Sequence, residues 1–251
     1  MRKLFLFIVC FILFGVGIKA QRFPQAVLPG DYPDPSILRD GKDYYMTHSP
    51  FYYAPGFLIW HSTDLMRWEP VCQALPEYEG SAMAPDLLKY QNRYYIYYPT
   101  STGENYVIYA DNIRGPWSKP VKLDVKGIDP GHVVGEDGKR YLFTNNGWIT
   151  PLSDDGLKVT GKSRKVYDGW EYPANWVTEG KDMYLESPKL LYKDGYYYMM
   201  SAEGGTAGPA TCVWWHVPNR CSVRGRTHLI TPLYILTVPV KTGGQKVMAL
   251  W

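Results

Sequence analysis

The run Asp34-Pro35-Ser36-Ile37-Leu38-Arg39-Asp40-Gly41-Lys42-Asp43-Tyr44-Tyr45-Met46 decides how this chain is read. A short apolar strand enters a Gly-containing turn and leaves in a strand heavy with tyrosine, which is the pattern of a β-hairpin. The pattern returns three times. Ala84-Pro85-Asp86-Leu87-Leu88 passes through Gln91-Asn92-Arg93 to Tyr94-Tyr95-Ile96. Asp129-Pro130 passes through Asp137-Gly138-Lys139 to Tyr141-Leu142-Phe143. Glu186-Ser187-Pro188-Lys189-Leu190 passes through Lys193-Asp194-Gly195 to Tyr196-Tyr197-Tyr198. Measured at Tyr44, Tyr94, Tyr141 and Tyr196, the period is near fifty residues. Further strands follow inside the units, as at Phe57 to His61 and Tyr106 to Ala110. Three or four strands per unit at this period predict an all-β fold, a β-propeller with about four blades present. A β-sandwich with coincidental spacing has no reason to repeat one hairpin four times.

Composition agrees. In 251 residues there are 22 Tyr, 9 Trp, 24 Gly and 20 Pro, a mixture that excludes coiled coils, helical bundles and disordered tails. The net charge of +3 hides a split: residues 1–20 hold three basic and no acidic side chains, and 212–251 hold five basic and none acidic. The body, 21–211, therefore carries 19 Lys and Arg against 24 Asp and Glu. Such a body lacks the clustered cations that nucleic-acid phosphates need, so nucleic acid is excluded as a partner. Arg2 and Lys3 followed by the apolar run Leu4 to Ile18 and the Ile18-Lys19-Ala20 exit read as a signal peptide over 1–20. That run is short for a membrane span, so the expected location is secreted or periplasmic, with no stable span once the signal is cleaved. Cys10 leaves with the signal and Cys72 is the one thiol before residue 212, so no disulfide framework and no Cys/His metal spacing is implied.

Three acidic residues stand at the starts of hairpins. Asp34 and Glu186 lie ten residues before the first tyrosine of their units and Asp129 twelve before, while the matching place in the second unit is Ala84. The first strand of each propeller blade lines the axis, so these residues meet in space. A charge seldom begins an apolar strand for the sake of stability, because its burial costs several kcal/mol unless it is paired. Two opposed carboxylates can cleave a glycosidic bond, one protonating the leaving oxygen and the other activating water. A third beside the acid raises its pKa by like-charge repulsion. One Asp-Pro alone is ordinary turn chemistry; three at matching places point to a working site.

Asp34-Pro35-Ser36, the run from Ser49 through Phe51 to Pro55-Gly56, Trp60-His61-Ser62 with Asp64-Leu65, Ala84-Pro85-Asp86, Ile128-Asp129-Pro130 and Glu186-Ser187-Pro188 together resemble glycoside hydrolase family 43. The resemblance runs from about Pro29 to Thr211. It implies a five-bladed β-propeller, incomplete in this chain, that hydrolyses β-xylosidic or α-arabinofuranosidic bonds of plant polysaccharides and their oligosaccharides with inversion. On that likeness Asp34 is the general base, Asp129 tunes and orients the acid, and Glu186 is the general acid. Phe51 matches an aromatic that packs on the terminal sugar. Trp60 is a weaker stacking candidate and more often a core residue. Asp86 is expected to be structural, as are His48 and His132, and most tyrosines are expected between blades. Met83 departs from the family, many members of which have Trp before Ala-Pro-Asp. No cofactor is needed for the chemistry; a structural calcium in the channel of the intact protein is implied by the resemblance.

The pattern stops after Thr211. A slip of reading frame accounts for it: read from the third base of each codon, Trp214-Trp215-His216 forces Val-Ala, and Lys241 through Met248 permits Asp-Trp-Trp-Ser-Lys-Gly-His-Gly, a segment like one the family carries. The expected organisation is signal 1–20, partial catalytic propeller 21–211 and an out-of-frame tail 212–251 that is no domain, with activity impaired in this copy. The rivals are a non-catalytic carbohydrate-binding propeller and a related retaining enzyme acting on fructans.

Overall fold

A computed structural model describes residues 26–78, 80–168, 185–193, 196–203 and 212–216, with Lys193, Tyr196, Glu203 and 212–216 described as backbone only. The chain divides into two units, 1–30 and 31–251. Of the first, residues 26–30 are described, mostly as bends. The expected signal peptide lies outside the described residues.

The hairpin turns do what their residues allow. Asp40 pairs with Asp43 across a two-residue turn whose first member, Gly41, sits at φ +65°, and Gln91 holds the equivalent place at φ 54°. Consecutive strands then form meanders. β1 (Ser36–Asp40), β2 (Asp43–Thr47), β3 (Gly56–Ser62) and β4 (Glu69–Leu75) make the first sheet in that order. β5 (Asp86–Tyr90), β6 (Arg93–Pro99), β7 (Asn105–Ala110) and β8 (Val121–Leu123) make the second. β9 (Gly131–Val134), β10 (Arg140–Thr144), β11 (Trp148–Pro151) and β12 (Arg164–Lys165) make the third. β13 (Glu186–Lys193), β14 (Tyr196–Glu203) and β15 (Cys212–His216) make the fourth, described with three strands. These are the propeller blades that the repeat predicts. Of the proposed out-of-frame tail, β15 is described, hydrogen-bonded to β14 from Met199↔His216 to Glu203↔Cys212; residues 217–251 lie outside the described residues.

Period-2 alternation packs blade on blade. In β6, Tyr94, Ile96 and Tyr98 face the first blade and join Phe57, Ile59 and Leu75 in one apolar cluster. Tyr95 and Tyr97 face the third blade with Leu142 and Leu152. Val133, Phe143 and Ile149 meet Tyr197 and Met199 between the third and fourth. Broad rings fill the wedge between twisted sheets, as the tyrosine content predicts.

A second device joins the blades along their inner strands. Ser36, Asp86, Gly131 and Lys189 each follow the proline of the repeat. The Leu87 N–H donates to Ser36 Oγ at 2.9 Å, and the His132 N–H donates to Asp86 Oδ2 at 2.8 Å. Blade one thus holds blade two, and blade two holds blade three, through the same position of the repeat. Asp86 is structural, as expected. At Gly131 the fourth blade comes so close that a Cβ would stand 1.7 Å from the Pro188 carbonyl oxygen.

A buried cation sits between blades two and three. Arg140, 1% exposed, donates to His132 Nε2 (2.9 Å), the Tyr97 hydroxyl (3.0 Å) and the Asp154 carbonyl (3.3 Å), and lies over the rings of Tyr90 and Tyr95 at 4.4 Å. Desolvation, reinforced by the Arg140 charge, pushes the His132 pKa down to about 3, so the ring is neutral and accepts from Arg140. His132 is the satisfied structural histidine that the sequence suggests.

Candidate active site

Four residues that precede the repeat prolines share one unusual backbone state. Asp34, Ala84, Asp129 and Ser187 have φ of 52°, 41°, 57° and 50°. A left-handed conformation costs a non-glycine residue about 1–2 kcal/mol. Ala84 adopts it without a carboxylate, so the strain belongs to the way each blade begins and not to catalysis. Because it recurs, any side chain placed there is delivered to the same end of the inner strands.

The fourth member of this set corrects the sequence alignment. The hairpin registers pair Tyr44 with Arg39, Tyr94 with Lys89 and Tyr197 with Tyr192, each the second residue after its turn. Tyr197, not Tyr196, is therefore the equivalent tyrosine, and the position ten before it is Ser187, not Glu186. Three consecutive tyrosines concealed the one-residue offset. Glu186 instead pairs with Ala202, and the ladder slips between Glu186 and Lys189 in the manner of a β-bulge. The carboxylate of the fourth blade thus stands one residue earlier in the chain than the shared position, at the same end of the blade.

Electrostatics tie these positions together. The Ser187 backbone N–H donates to the Asp129 carboxylate, which brings Glu186, its chain neighbour, to the side of Asp129. Burial pushes the Asp129 carboxyl above the usual carboxylate range. The Lys189 charge opposes that, the Asp34 carboxylate adds to it, and the Ser187 N–H opposes it again. Asp34, Asp129 and Glu186 are each partly buried, so all three reach solvent.

Asp34 is held from the first blade's loop. Ser49 Oγ donates to Asp34 Oδ2 at 2.5 Å and accepts from the Ala84 N–H at 2.6 Å, while the Ser49 N–H donates to the Pro33 carbonyl at 2.9 Å. One hydroxyl therefore fixes a carboxylate oxygen and bridges two blades. Phe51 lies two residues on, half-buried at φ 48°, its N–H donating to the Ala82 carbonyl at 3.0 Å. The loop that holds Asp34 thus also places Phe51 at the carboxylate end. Trp60 is only 8% exposed in β3, with the Tyr32 ring edge-on at 5.4 Å. Its faces are used in packing, the core role the sequence favours for it. His48 is buried as well; desolvation lowers its pKa, opposed by its hydrogen bond with the Ser49 backbone.

Lys189 was not legible as a site residue. Its Nζ donates to the Pro130 carbonyl (2.8 Å), the Pro85 carbonyl (3.2 Å) and Asp86 Oδ1 (3.1 Å). An ammonium thus stands among the inner strands of blades two, three and four. The calcium expected in the channel has no ligand set among the described residues, where no three His, Cys, Asp or Glu side chains gather to hold an ion. A cavity of about 590 Å³ opens at the far ends of the same strands, against Tyr90, Val134 and Tyr192. None of the three carboxylates lines it, so it is separate from this site.

Comparison with known proteins gives a consistent result. The family described as Glycosyl hydrolases family 43 matches residues 23–228. A xylosidase/arabinosidase of Butyrivibrio fibrisolvens is 33% identical over 207 residues, 72% of this chain and 38% of that protein. A xylan 1,3-beta-xylosidase of a Vibrio species is 36% identical over 211 residues, 72% of this chain and 38% of that protein. The crystal structure of a xylan beta-1,4-xylosidase from Bacillus halodurans superposes with a TM-score of 0.72 at 30% identity, over 87% of this chain and 45% of that one. The chain spans about two fifths of the length of these curated relatives.

Proposed function

The chain belongs to glycosyl hydrolases family 43, and on that premise we propose that it hydrolyses β-xylosidic or α-arabinofuranosidic bonds of plant polysaccharides or their oligosaccharides, with inversion at the anomeric carbon. The observation that carries the proposal is the meeting of Asp34, Asp129 and the Glu186-Ser187 strand start at one end of the inner strands.

In the proposed reaction Asp34, its Oδ2 held by Ser49, takes a proton from water as the water oxygen bonds to the anomeric carbon. The bond from that carbon to the leaving oxygen breaks, and Glu186 gives its proton to that oxygen. Protons balance, and water is the sole co-substrate. Asp129 keeps negative charge beside the acid, which favours the protonated form of Glu186 until the sugar is bound. Phe51 supplies a ring for the terminal sugar to pack against. The names of the relatives support xylosides and arabinosides as the substrate class. The proposal extends to export, on the Arg2-Lys3 start and the apolar run that follows, and to weak turnover by the 251-residue chain, on the break in its pattern after Thr211.

The test is hydrolysis of an aryl β-xyloside and an aryl α-arabinofuranoside by the parent chain and by Glu186→Gln, with binding of xylobiose followed in parallel. Loss of turnover with binding retained is expected. Turnover unchanged in Glu186→Gln removes Glu186 as the acid, and sugar binding without turnover in the parent favours a binding propeller. Proton NMR of the first anomer released separates inversion from retention.

A further inference from the structure

The position after each repeat proline holds Ser36, Asp86 and Gly131 in blades one to three, the first two bonding to the next blade and the third leaving room for it. In the fourth blade the same position holds Lys189. A lysine is not needed to join blades: a hydroxyl does so at Ser36, and a carboxylate does so at Asp86. Yet Lys189 is tied by three bonds, two of them to carbonyl oxygens of Pro85 and Pro130. Pro130 follows Asp129 in the chain, so the ammonium is fixed against the segment that carries that carboxylate. Its side chain is only 27% exposed, so water screens the charge less than it would at the surface.

We propose that Lys189 is a positioning residue of this site, a fixed positive charge spanning three blades that holds the Asp129 carboxylate ionised beside Asp34. The inference rests on the proposed function for its catalytic meaning. The groups around Asp129 explain why a cation is required. Asp34 comes from the start of the first blade, Asp86 from the second, and Glu186 from the fourth, all acidic. His132, on the strand that Asp129 leads into, is neutral and bonded to Arg140. Lys189 bonds to one of those acids, Asp86, and to the carbonyl next to Asp129, so one ammonium offsets charge on both. Without it, burial and Asp34 both favour a neutral Asp129. A proton held on Asp129 is one that Glu186 does not hold for the leaving oxygen.

The test is the titration of Asp129, followed by carboxyl carbon NMR of aspartate-labelled full-length chain, the resonance assigned by its loss in Asp129→Asn. Lys189→Met is expected to raise the Asp129 midpoint by about one pH unit or more, with Lys189→Arg restoring it. Should Lys189→Met fail to fold, Lys189→Gln retains donors for the Pro85 and Pro130 carbonyls without the charge and reads the same quantity. An Asp129 midpoint that stays put in the uncharged variant overturns the inference. Since the titration needs no turnover, it is decided whether or not the chain hydrolyses sugars. In an active chain, Lys189→Met is also expected to move the alkaline limb of the kcat/KM profile to higher pH, because loss of the cation makes the doubly ionised Asp129 and Glu186 pair harder to reach. An unmoved limb overturns the catalytic role of Lys189 and leaves the glycosidase reading standing.

Discussion

Gly131→Ala tests the arrangement of blades at its tightest point. The added Cβ would lie 1.7 Å from the Pro188 carbonyl oxygen and 3.1 Å from Leu190 Cδ1. The nearest atom is backbone, so no side-chain rotation can relieve the clash. Reaching an ordinary contact of about 3.3 Å requires β9 and β13 to part by roughly 1.5 Å. That separation stretches the 2.8 Å bond from Lys189 Nζ to the Pro130 carbonyl and the Ser187 N–H bond to Asp129. Both involve a charged group, and such bonds contribute roughly 1.5–3 kcal/mol each. It also opens the cluster of Val133, Tyr197 and Met199, where overpacking typically costs about 1–3 kcal/mol. A loss of about 4 kcal/mol is expected, close to 10 °C in Tm for a chain of this size. Gly138→Ala is the internal control. It has open space around it but sits at φ +73°, so only backbone strain of about 1 kcal/mol applies. Thermal unfolding followed by circular dichroism of the three proteins reads both numbers. A Gly131→Ala protein melting within about 2 °C of the parent, or above Gly138→Ala, refutes the close approach of the third and fourth blades.

Three further perturbations address the site and its surroundings. Tyr97→Phe removes a hydroxyl that donates to the Gly156 carbonyl at 2.9 Å and accepts from Arg140; a loss of about 2 kcal/mol is expected from urea unfolding, and no loss would show the network to be dispensable. Ser49→Ala frees Asp34 Oδ2 and leaves the Ala84 N–H without its acceptor; steady-state kinetics should show kcat down roughly ten- to a hundredfold with KM little altered, and an unchanged kcat confines Ser49 to bridging blades. The His132 pKa falls from 6.5 to about 3 on folding, so between those values the unfolded chain binds the extra proton and stability must drop as pH falls. Asp129, raised above 3.8 on folding, acts with the opposite sign, costing stability as pH rises above 3.8. Urea midpoints measured from pH 7 to pH 4 should therefore decline, and His132→Gln should flatten the decline; an equally steep curve in the variant removes His132 as its cause.

Local chemistry was enough to read the blades. Gly41 and the turn at Gln91-Asn92 place two-residue connections between alternating strands, and alternation alone sends Tyr94, Ile96 and Tyr98 to one neighbour and Tyr95 and Tyr97 to the other. The same reading placed Asp34, Ala84 and Asp129 at one position of the repeat, where they share a backbone state, and set Asp86 apart as structural, because the proline repeat fixes these positions along the chain. Tertiary structure decided the rest. Only the hairpin register shows that Ser187 takes the shared backbone position and that Glu186 stands one residue before it, since three successive tyrosines are indistinguishable by period. Only the packing of β3 shows that Trp60 presents no open face. Lys189 carries no local sign of its role: a lysine in a strand reads as a solvated face until the carbonyls of two other blades come within about 3 Å of its ammonium. Turn chemistry and alternation act between neighbours in the chain, whereas the partners of the Lys189 ammonium come from Pro130 and Pro85, 59 and 104 residues away.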